Sequence, residues 1–406
     1  MMAAARVEVI PGGQAYRPAC TGRVRPANTQ RIGKERHRAG DGVRPAGPSR
    51  LSSGVGRGHG RAGASTPGSN MNDALLSDPC VPARAEPLGP SVLRRDVERS
   101  DATLAMQATA SREDSYLERL RPFLKPGAVV RGGAFPEARI DAFTTGMRAN
   151  AHYFSHPKWM DDWLASVHRY PELRERWLSV MGSLDGKVLV DVGCGPGNLL
   201  AALGGKPRVA IGVDIAPGSL ERAAGVGYLP LRADAHDMPL RSGIADVVAI
   251  NGSLHHLDDM RRALVEASRL VRPGGLLILD HDPQRSAWNF RGIALLLWRM
   301  RLPIYRWLRR GGHTAADDEQ TWALATELHH RPGDGLTREL VHTTLRPLGF
   351  DIAIYPHSHY VGKDVLDGAM GRPPLKIRLA QRLSGIDPRS AEAALSLFVV
   401  ARRRTL

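Results

Sequence analysis

The sequence has few cysteines and lacks long apolar runs, and each shortage excludes a class of protein. Its 406 residues include three cysteines, Cys20, Cys80 and Cys194, which lie far apart. Their number and spacing give neither a disulfide framework nor a zinc motif, so we expect no metal site. The sequence also lacks a stretch of about 18 uninterrupted apolar residues, which argues against a membrane span. We therefore expect a cytoplasmic protein.

Residues 1–110 have few large apolar side chains and few acids. The segment is rich in Gly, Pro, Ala, Ser and Arg without periodicity, so it cannot bury a core. We predict a disordered, basic, low-complexity extension. Three interpretations fit it: a tail that contacts nucleic acid or anionic lipid, an organelle transit peptide, or an upstream extension that the functional protein lacks. We favour the third, because Met71 and Met106 are alternative starts.

Most of the positive charge lies in this extension. Residues 1–70 hold 12 Lys and Arg against 3 Asp and Glu, in a chain whose net charge is +15. Because that charge falls outside the predicted folded region, it gives no strong case for a nucleic-acid partner.

The stretch VLVDVGCGPGN at 188–198 is the most informative part of the chain. Its apolar half is typical of a buried strand, and Gly193, Gly195 and Gly197 then allow a sharp turn close to a ligand. A helix that opens at Asn198 directs its first N–H groups to the same place. This predicts a site for a cofactor with a polar, partly anionic tail.

The spacing of the glycines bears on whether the cofactor is a dinucleotide or S-adenosylmethionine. The dinucleotide fingerprint requires a glycine at the position of Asn198. Asp191, at the strand end, would repel a pyrophosphate but suits an ammonium group, such as that of S-adenosylmethionine. Taken alone, the glycine turn leaves both cofactors open.

Strands and helices alternate beyond this turn. Short apolar strands are predicted at 209–214, 229–235, 245–252 and 276–280, with helices at 219–224 and 259–271 between them. This alternation predicts an α/β fold with a doubly wound parallel sheet. Asp214 ends the second strand, where a carboxylate can accept both ribose hydroxyls, and Asp234 follows the third, where an adenine amino group can donate.

Residues 185–282 resemble the class I S-adenosylmethionine-dependent methyltransferases of the small-molecule (type 11) group. The motifs that carry the resemblance are DVGCGPGN at 191–198, GVDI at 212–215, ADAHDMPL at 233–240, NGSLHHLDD at 251–259 and RLVRPGGLLIL at 269–279. The resemblance implies a mostly parallel, seven-stranded Rossmann-like sheet with an antiparallel C-terminal edge pair at 349–355 and 395–402. It also implies transfer of a methyl group from S-adenosyl-L-methionine to a small-molecule or lipid-like acceptor by in-line displacement.

The resemblance also assigns roles to single residues. Asp191 and Gly193, Gly195 and Gly197 would hold the methionine moiety. Asp214, with Ile215 beside it, would bind the ribose, Asp234 and Ala235 the adenine, and Asn251 would line the floor of the site.

An oxygen acceptor would also need a general base, whereas a carbon or nitrogen acceptor would not. The candidates beyond the strand ends are His255, His256, His281 and Asp282. The alternative is that these residues only pack, cap a helix or form a turn. Two other functions stay open: a Rossmann oxidoreductase that uses NAD, and a non-catalytic S-adenosylmethionine-binding scaffold.

The remaining segments flank this domain. Residues 111–184 are predicted to form a helical lid, in which Tyr153, Phe154 and Trp159 either wall the substrate site or belong to the core. Residues 185–406 form the methyltransferase domain, with insertions at 287–330 and 356–394. His357 and His359 of the second insertion could bind a metal, but no third ligand is apparent.

The first insertion contains an unusual apolar stripe. It is formed within 287–310 by Ile293, Leu296, Leu297, Met300, Ile304, Trp307 and Leu308. Arginines lie off the stripe, and Pro303 is expected to kink or split the helix. A basic amphipathic helix suits peripheral contact with a membrane that supplies a lipid-like acceptor. The alternative is a cap helix packed on the domain.

Overall fold

The computed structural model describes residues 115–166, 170–307 and 317–405. The predicted disordered extension at 1–110 lies outside these residues, as does Leu308 of the apolar stripe.

The segment before the first long strand combines helices with a short hairpin. It comprises α1 (115–120), a 3-10 turn (Arg121–Phe123), β1 (Val130–Arg131), β2 (Glu137–Ala138), α2 (Thr145–Tyr153), α3 (Pro157–Ser166) and α4 (Pro171–Met181). The prediction that 111–184 is helical is therefore wrong at β1 and β2. Strands of two residues carry too little periodicity to be recognised in a sequence.

Strands and helices then alternate as predicted. The strands are β3 (Val188–Val192), β4 (Val209–Asp214), β5 (Leu229–Arg232), β6 (Ala245–Asn251), β7 (Val271–Asp280), β8 (Phe350–His357) and β9 (Ser396–Arg403). The helices are α5 (Asn198–Leu203), α6 (Pro217–Val226), α7 (Met260–Leu270), α8 (Gly292–Trp307), α9 (Asp317–Thr326), α10 (Arg338–Leu345) and α11 (Leu375–Leu383).

All the strands belong to one sheet in the order β1-β2-β5-β4-β3-β6-β7-β9-β8. The strands from β2 to β7 pair in parallel, whereas β9 pairs antiparallel with both β7 and β8. The expected seven strands with an antiparallel C-terminal pair are confirmed as β3 to β9. The hairpin β1–β2 extends the opposite edge through β5, so the sheet has nine strands.

Both faces of the sheet are covered, which explains why the central strands are apolar throughout. Along β3, Val190 and Val192 pack into one cluster with Leu264 of α7. Leu189 packs on the other face with Trp177 of α4 and Leu199 of α5. This two-sided burial is the arrangement of a doubly wound fold, and it places the carboxyl ends of the parallel strands along one edge.

The two insertions are more regular than predicted. The helix α8 continues through Pro303 without the expected break. The insertion at 356–394 contains α11. Within the described residues, no helix is long and apolar enough to cross a membrane.

Candidate active site

A cleft lies at the carboxyl ends of β3, β4, β5 and β6. Its volume is about 1020 Å³ when the solvent space at its open mouth is included. Most residues to which the sequence assigned a role lie on its wall: Asp191, Gly193, Gly195, Asp214, Ile215, Asp234, Ala235, Asn251 and His256. Gly197, His255 and His281 are not among its lining residues. The cleft therefore brings together four strand ends that are far apart in the sequence.

The glycine turn is held against the end of β4. The N–H groups of Gly193 and Cys194 both donate to the carbonyl of Val213, at 2.8 and 3.1 Å. Gly193 has a φ of 71°, and a Cβ there would lie 2.5 Å from the Cβ of Ser253. Gly197 serves helix packing, since its added Cβ would lie 3.1 Å from Val226 of α6. Only glycine fits at position 193, which brings the backbone close to the cleft.

Both carboxylate oxygens of Asp214 are fixed by the backbone. Oδ2 accepts from the Gly195 N–H at 2.9 Å, and Oδ1 accepts from the Ala216 N–H at 2.8 Å. Burial raises the pKa of Asp214, although these two N–H groups work against the rise. The Ile215 N–H gives a third backbone hydrogen bond. Because an ionised carboxylate has about four acceptor sites, part of its capacity is left for a diol.

Asp191 is buried and is supported by a residue that the sequence did not single out. The Tyr228 hydroxyl lies 2.5 Å from Asp191 Oδ2 and accepts from the Leu200 N–H at 3.2 Å. Burial raises the pKa of Asp191 to about 7, an effect that Tyr228 opposes and Asp214 increases. The carboxylate is therefore poised to be stabilised by a cation. Tyr228 lies between α6 and β5 and belongs to none of the motifs recognised in the sequence.

His236 positions Asp234. The Asp259 N–H donates to His236 Nε2 at 3.2 Å, so Nδ1 carries the ring proton and donates to Asp234 Oδ1 at 2.7 Å. The His236 N–H donates to the same oxygen at 2.8 Å. Burial acts to raise the pKa of Asp234, but these hydrogen bonds lower it overall. With Oδ1 occupied, Oδ2 is the oxygen available to a ligand.

His281 lies beneath Asn251 and is not a free base. Arg176 Nη2 lies 3.0 Å from His281 Nε2, and because arginine can only donate, the ring proton is on Nδ1. Nδ1 lies 3.0 Å from Asn251 Oδ1, which leaves the Asn251 amide nitrogen for the cleft. Burial lowers the pKa of His281 to about 3. His281 therefore orients Asn251.

A fully buried ion pair supports this region. Arg176 Nε lies 2.7 Å from Asp280 Oδ2, which also accepts from Trp177 Nε1 at 2.8 Å. The other oxygen accepts from His357 Nε2 at 2.9 Å. Burial acts to raise the pKa of Asp280, but Arg176 and the neighbouring histidines hold it well below its usual value. His357 is thus part of this network, and His359 stacks on His281 with ring centroids 5.0 Å apart.

Of the three histidines proposed as bases, His256 lines the cleft. Its Nδ1 lies 2.8 Å from the carbonyl of Thr326, which can only accept, so the ring proton is on Nδ1 and Nε2 keeps its lone pair. Burial lowers the pKa of His256 to about 4, so the ring is neutral at neutral pH. His255 lies behind His256 with ring centroids 3.9 Å apart, and its Nδ1 lies 2.8 Å from Asp282 Oδ1.

Part of the cleft wall is apolar, although the polar side chains of Asn150 and Asp258 also line the cleft. Met147 and Phe154, from α2 and its end, and Trp163 of α3 line it together with Leu257. Of the aromatic residues considered for this wall, Phe154 lines the cleft, whereas Tyr153 and Trp159 are not among the lining residues. The site thus has a polar half and an apolar half.

The strand order and this cleft define a Rossmann-like cofactor-binding fold. Residues 190–279 match the family model described as a methyltransferase domain. The resemblance found in the sequence is confirmed.

Comparison with known proteins gives partial matches. An uncharacterized methyltransferase of Mycobacterium tuberculosis (strain ATCC 25618 / H37Rv) is 37% identical over 119 residues, which are 28% of this chain and 58% of that protein. The ubiquinone biosynthesis O-methyltransferase of Pseudomonas paraeruginosa is 32% identical over 124 residues, 28% of this chain and 52% of that protein. The chain therefore spans little more than half the length of these relatives.

A solved structure is similar over a longer region. The S-adenosylmethionine-dependent methyltransferase from Mesorhizobium loti has a TM-score of 0.37 and 18% identity, and the match covers 59% of this chain and 100% of that one.

Proposed function

We propose that this protein is an S-adenosylmethionine-dependent methyltransferase that methylates a hydroxyl group of a small, apolar or lipid-like acceptor. The observation that carries the proposal is the Asp214 carboxylate. Its oxygens are fixed by Gly195 and Ala216 at the end of β4, directly beside the glycine turn. A carboxylate held in this way binds the two hydroxyls of a ribose.

The polar half of the cleft suits the rest of the cofactor. Asp191 would pair with the ammonium group, Asp234 Oδ2 would accept from the adenine amino group, and Gly193 lets the chain pass close by. The buried Asn198 Oδ1 lines the same cleft and has no hydrogen-bond partner among the described residues. The Asn198 oxygen, which can only accept a hydrogen bond, and the Asp191 carboxylate both lie beside the glycine turn. They favour an ammonium group over the pyrophosphate of a dinucleotide.

The chain's own residues would prepare the acceptor. Bound S-adenosylmethionine supplies a methyl group already activated on a sulfonium, so the protein has to orient the acceptor and remove its proton. His256 lines the cleft, and its Nε2 keeps a lone pair because the Thr326 carbonyl accepts from Nδ1–H. We assign His256 as the base and the amide nitrogen of Asn251 as a donor that orients the acceptor oxygen.

The apolar half supports an acceptor with an apolar body. The side chains of Met147, Phe154 and Trp163 give such a body an apolar surface to pack against. One relative is named as an O-methyltransferase of ubiquinone biosynthesis, which is consistent with an oxygen acceptor.

The surface of the first insertion supports access from a membrane. α8 packs inward through Ala294, Leu295 and Trp298. Four residues of the apolar stripe instead face outward: Ile293, Leu296, Leu297 and Met300 are 65%, 58%, 56% and 45% exposed. A contiguous exposed apolar face next to arginines suits a lipid surface. We therefore propose peripheral membrane contact through α8.

Methyl transfer from labelled S-adenosylmethionine into a lipid and small-molecule extract tests the function. The proposal predicts label in an organic-extractable product with the wild type and loss of that label with Asp214→Ala. The matched control is Asp351→Ala, which removes an exposed carboxylate paired with Arg404 and should retain transfer. Cofactor binding without label in any extract fraction would favour the non-catalytic scaffold, and NADH-dependent reduction would favour an oxidoreductase.

A further inference from the structure

A cluster of metal-ligating side chains lies behind the cleft wall. His255 follows β6, and Glu327 and His330 follow α9. Each offers one ligand atom, and the three atoms all lie within 4.8 Å of one another. We propose that His255, Glu327 and His330 bind a divalent transition-metal ion of the zinc class.

The spacing is close to what such an ion requires. Two ligands at about 2.0 Å from a tetrahedral metal lie roughly 3.3 Å apart. Glu327 Oε2 lies 3.9 Å from His255 Nε2 and 2.9 Å from His330 Nδ1, so these two distances bracket that value. Two imidazoles and one carboxylate with a fourth position left open are the ligand set of a catalytic zinc site.

Asp282 prepares His255 for this role. Its Oδ1 lies 2.8 Å from His255 Nδ1 and also accepts from the His255 N–H at 3.0 Å. The ring proton is therefore held on Nδ1, and Nε2, which carries the lone pair, lies 3.9 Å from Glu327 Oε2. A carboxylate that holds the outer nitrogen of a histidine is the usual support of a metal ligand. Without a cation between them, Nε2 and the carboxylate would face each other as two acceptors.

Glu327 and His330 come from a single short segment. They are separated by two residues, the spacing at which a Glu and a His can reach the same ion. The His329 N–H donates to the His255 carbonyl at 3.0 Å, which fixes the segment against the turn that carries His255. His330 Nδ1 lies within hydrogen-bond distance of Glu327 Oε2, so binding of an ion through Nδ1 would displace the proton that joins these two ligands. His330 Nε2 is buried and has no partner among the described residues, and it can carry that proton instead.

The site would stabilise the acceptor side of the cleft. Thr326, whose carbonyl holds His256, immediately precedes Glu327, and the rings of His255 and His256 are in contact. An ion bound by Glu327 therefore fixes both neighbours of His256. This role rests on the proposed function, whereas binding of the ion does not. Loss of the ion should lower methyl transfer more than it lowers affinity for S-adenosylmethionine.

Metal content and a cobalt titration test the site. The full chain is purified through a tag without histidines, and its bound metal is measured by mass spectrometry. After chelation, Co²⁺ is titrated while its visible absorption is followed. We expect about one ion per chain and a saturable tetrahedral Co²⁺ spectrum. Absence of both in the folded wild type would overturn the proposal without any variant being needed.

Variants assign the ligands. Glu327→Gln and His330→Gln should each weaken Co²⁺ binding by tenfold or more and change the spectrum, and Asp282→Asn should weaken it by about 10- to 100-fold. The matched control is His329→Gln, because His329 Nδ1 contacts Asp334 instead of the cluster. Retained Co²⁺ binding in both ligand variants would place the ion elsewhere and contradict the proposal. Normal metal binding with no methyl transfer would refute only the proposed function.

Discussion

The Tyr228 hydroxyl donates its proton to Asp191 across 2.5 Å, at the floor of the cleft. The hydroxyl is the donor because an ionised carboxylate can only accept, and the hydroxyl oxygen in turn accepts from the Leu200 N–H. Tyr228 thereby favours the ionised form of a carboxylate whose burial raises its pKa to about 7. The balance between these two effects decides how much of Asp191 is charged at neutral pH.

This balance makes cofactor affinity depend on pH. Only ionised Asp191 pairs with the ammonium group, so affinity for S-adenosylhomocysteine should rise with pH up to about 7 and then level off. A hydrogen bond to a charged group contributes about 1.5–3 kcal/mol. In Tyr228→Phe the plateau should therefore move to higher pH, with affinity at pH 7 roughly tenfold lower or more. Calorimetric titrations between pH 5.5 and 9 check both points, and a pH-independent affinity in both proteins would show that Asp191 does not bind the ammonium.

The same group predicts a pH dependence of folding. Because the pKa of Asp191 is raised, the folded protein binds its proton more tightly than the unfolded chain does. Its contribution to the free energy of unfolding should therefore fall as pH rises from about 4 to 7. Urea denaturation of the ligand-free protein at several pH values measures this slope. Asp191→Asn removes this downward contribution, so the slope of the unfolding free energy against pH should become more positive over that range. An unchanged slope would show that Asp191 does not contribute to the pH dependence.

His256→Asn should separate catalysis from cofactor binding. Removing a general base lowers turnover by about 100- to 10,000-fold, while the residues that hold the cofactor remain in place. The comparison is kcat for methyl transfer against Kd for S-adenosylhomocysteine in the same variant. His342→Asn on α10 removes a histidine away from the cleft and should change neither value. Unchanged kcat in His256→Asn would show that the acceptor loses no proton to this residue.

Arg176→Met should strongly destabilise the protein. It leaves Asp280 buried without its cation, which costs about 3–5 kcal/mol in comparable buried pairs. Arg404→Met, which breaks an exposed pair with Asp351, should cost less than about 1 kcal/mol. Denaturant midpoints of the two variants give the comparison. Equal small losses would mean that the other donors around Asp280 suffice to hold its charge.

Replacing exposed leucines of α8 should weaken binding to membranes. The double variant Leu296→Ser with Leu297→Ser removes two outward-facing side chains that would enter a lipid surface. We expect at least a tenfold lower partition onto vesicles of anionic phospholipid. Leu348→Ser removes an exposed leucine outside α8 and should leave partition unchanged. Equal sedimentation of all three proteins with vesicles would rule out α8 as the membrane contact.

The sequence predicts the parts of the fold that depend on local pattern. The apolar runs locate β3, β4, β6 and β9. Motif spacing also identifies most residues that line the cleft. These features are predictable because they depend on neighbours along the chain.

The features that were missed depend on contacts between distant residues. Arg176 and Asp280 are 104 residues apart, and Tyr228 meets Asp191 across 37 residues. No periodicity or spacing links such pairs, since the topology of the sheet brings them together. The cluster of His255, Glu327 and His330 was not predicted for the same reason, because Glu327 and His330 lie in an insertion far from His255 in the sequence. Two sequence patterns bear on metal binding, the cysteine spacing and the His357–His359 pair. Neither pattern contains these residues.

The central claim is that the cleft binds S-adenosylmethionine. Calorimetric titration of the full chain with S-adenosylmethionine, S-adenosylhomocysteine and NADH tests it most directly, with Asp214→Ala and Asp351→Ala measured alongside. We predict that the first two ligands bind the wild type and Asp351→Ala with micromolar affinity, and that Asp214→Ala loses this binding. Tight binding of NADH without a response to S-adenosylmethionine would contradict the claim and favour a dehydrogenase.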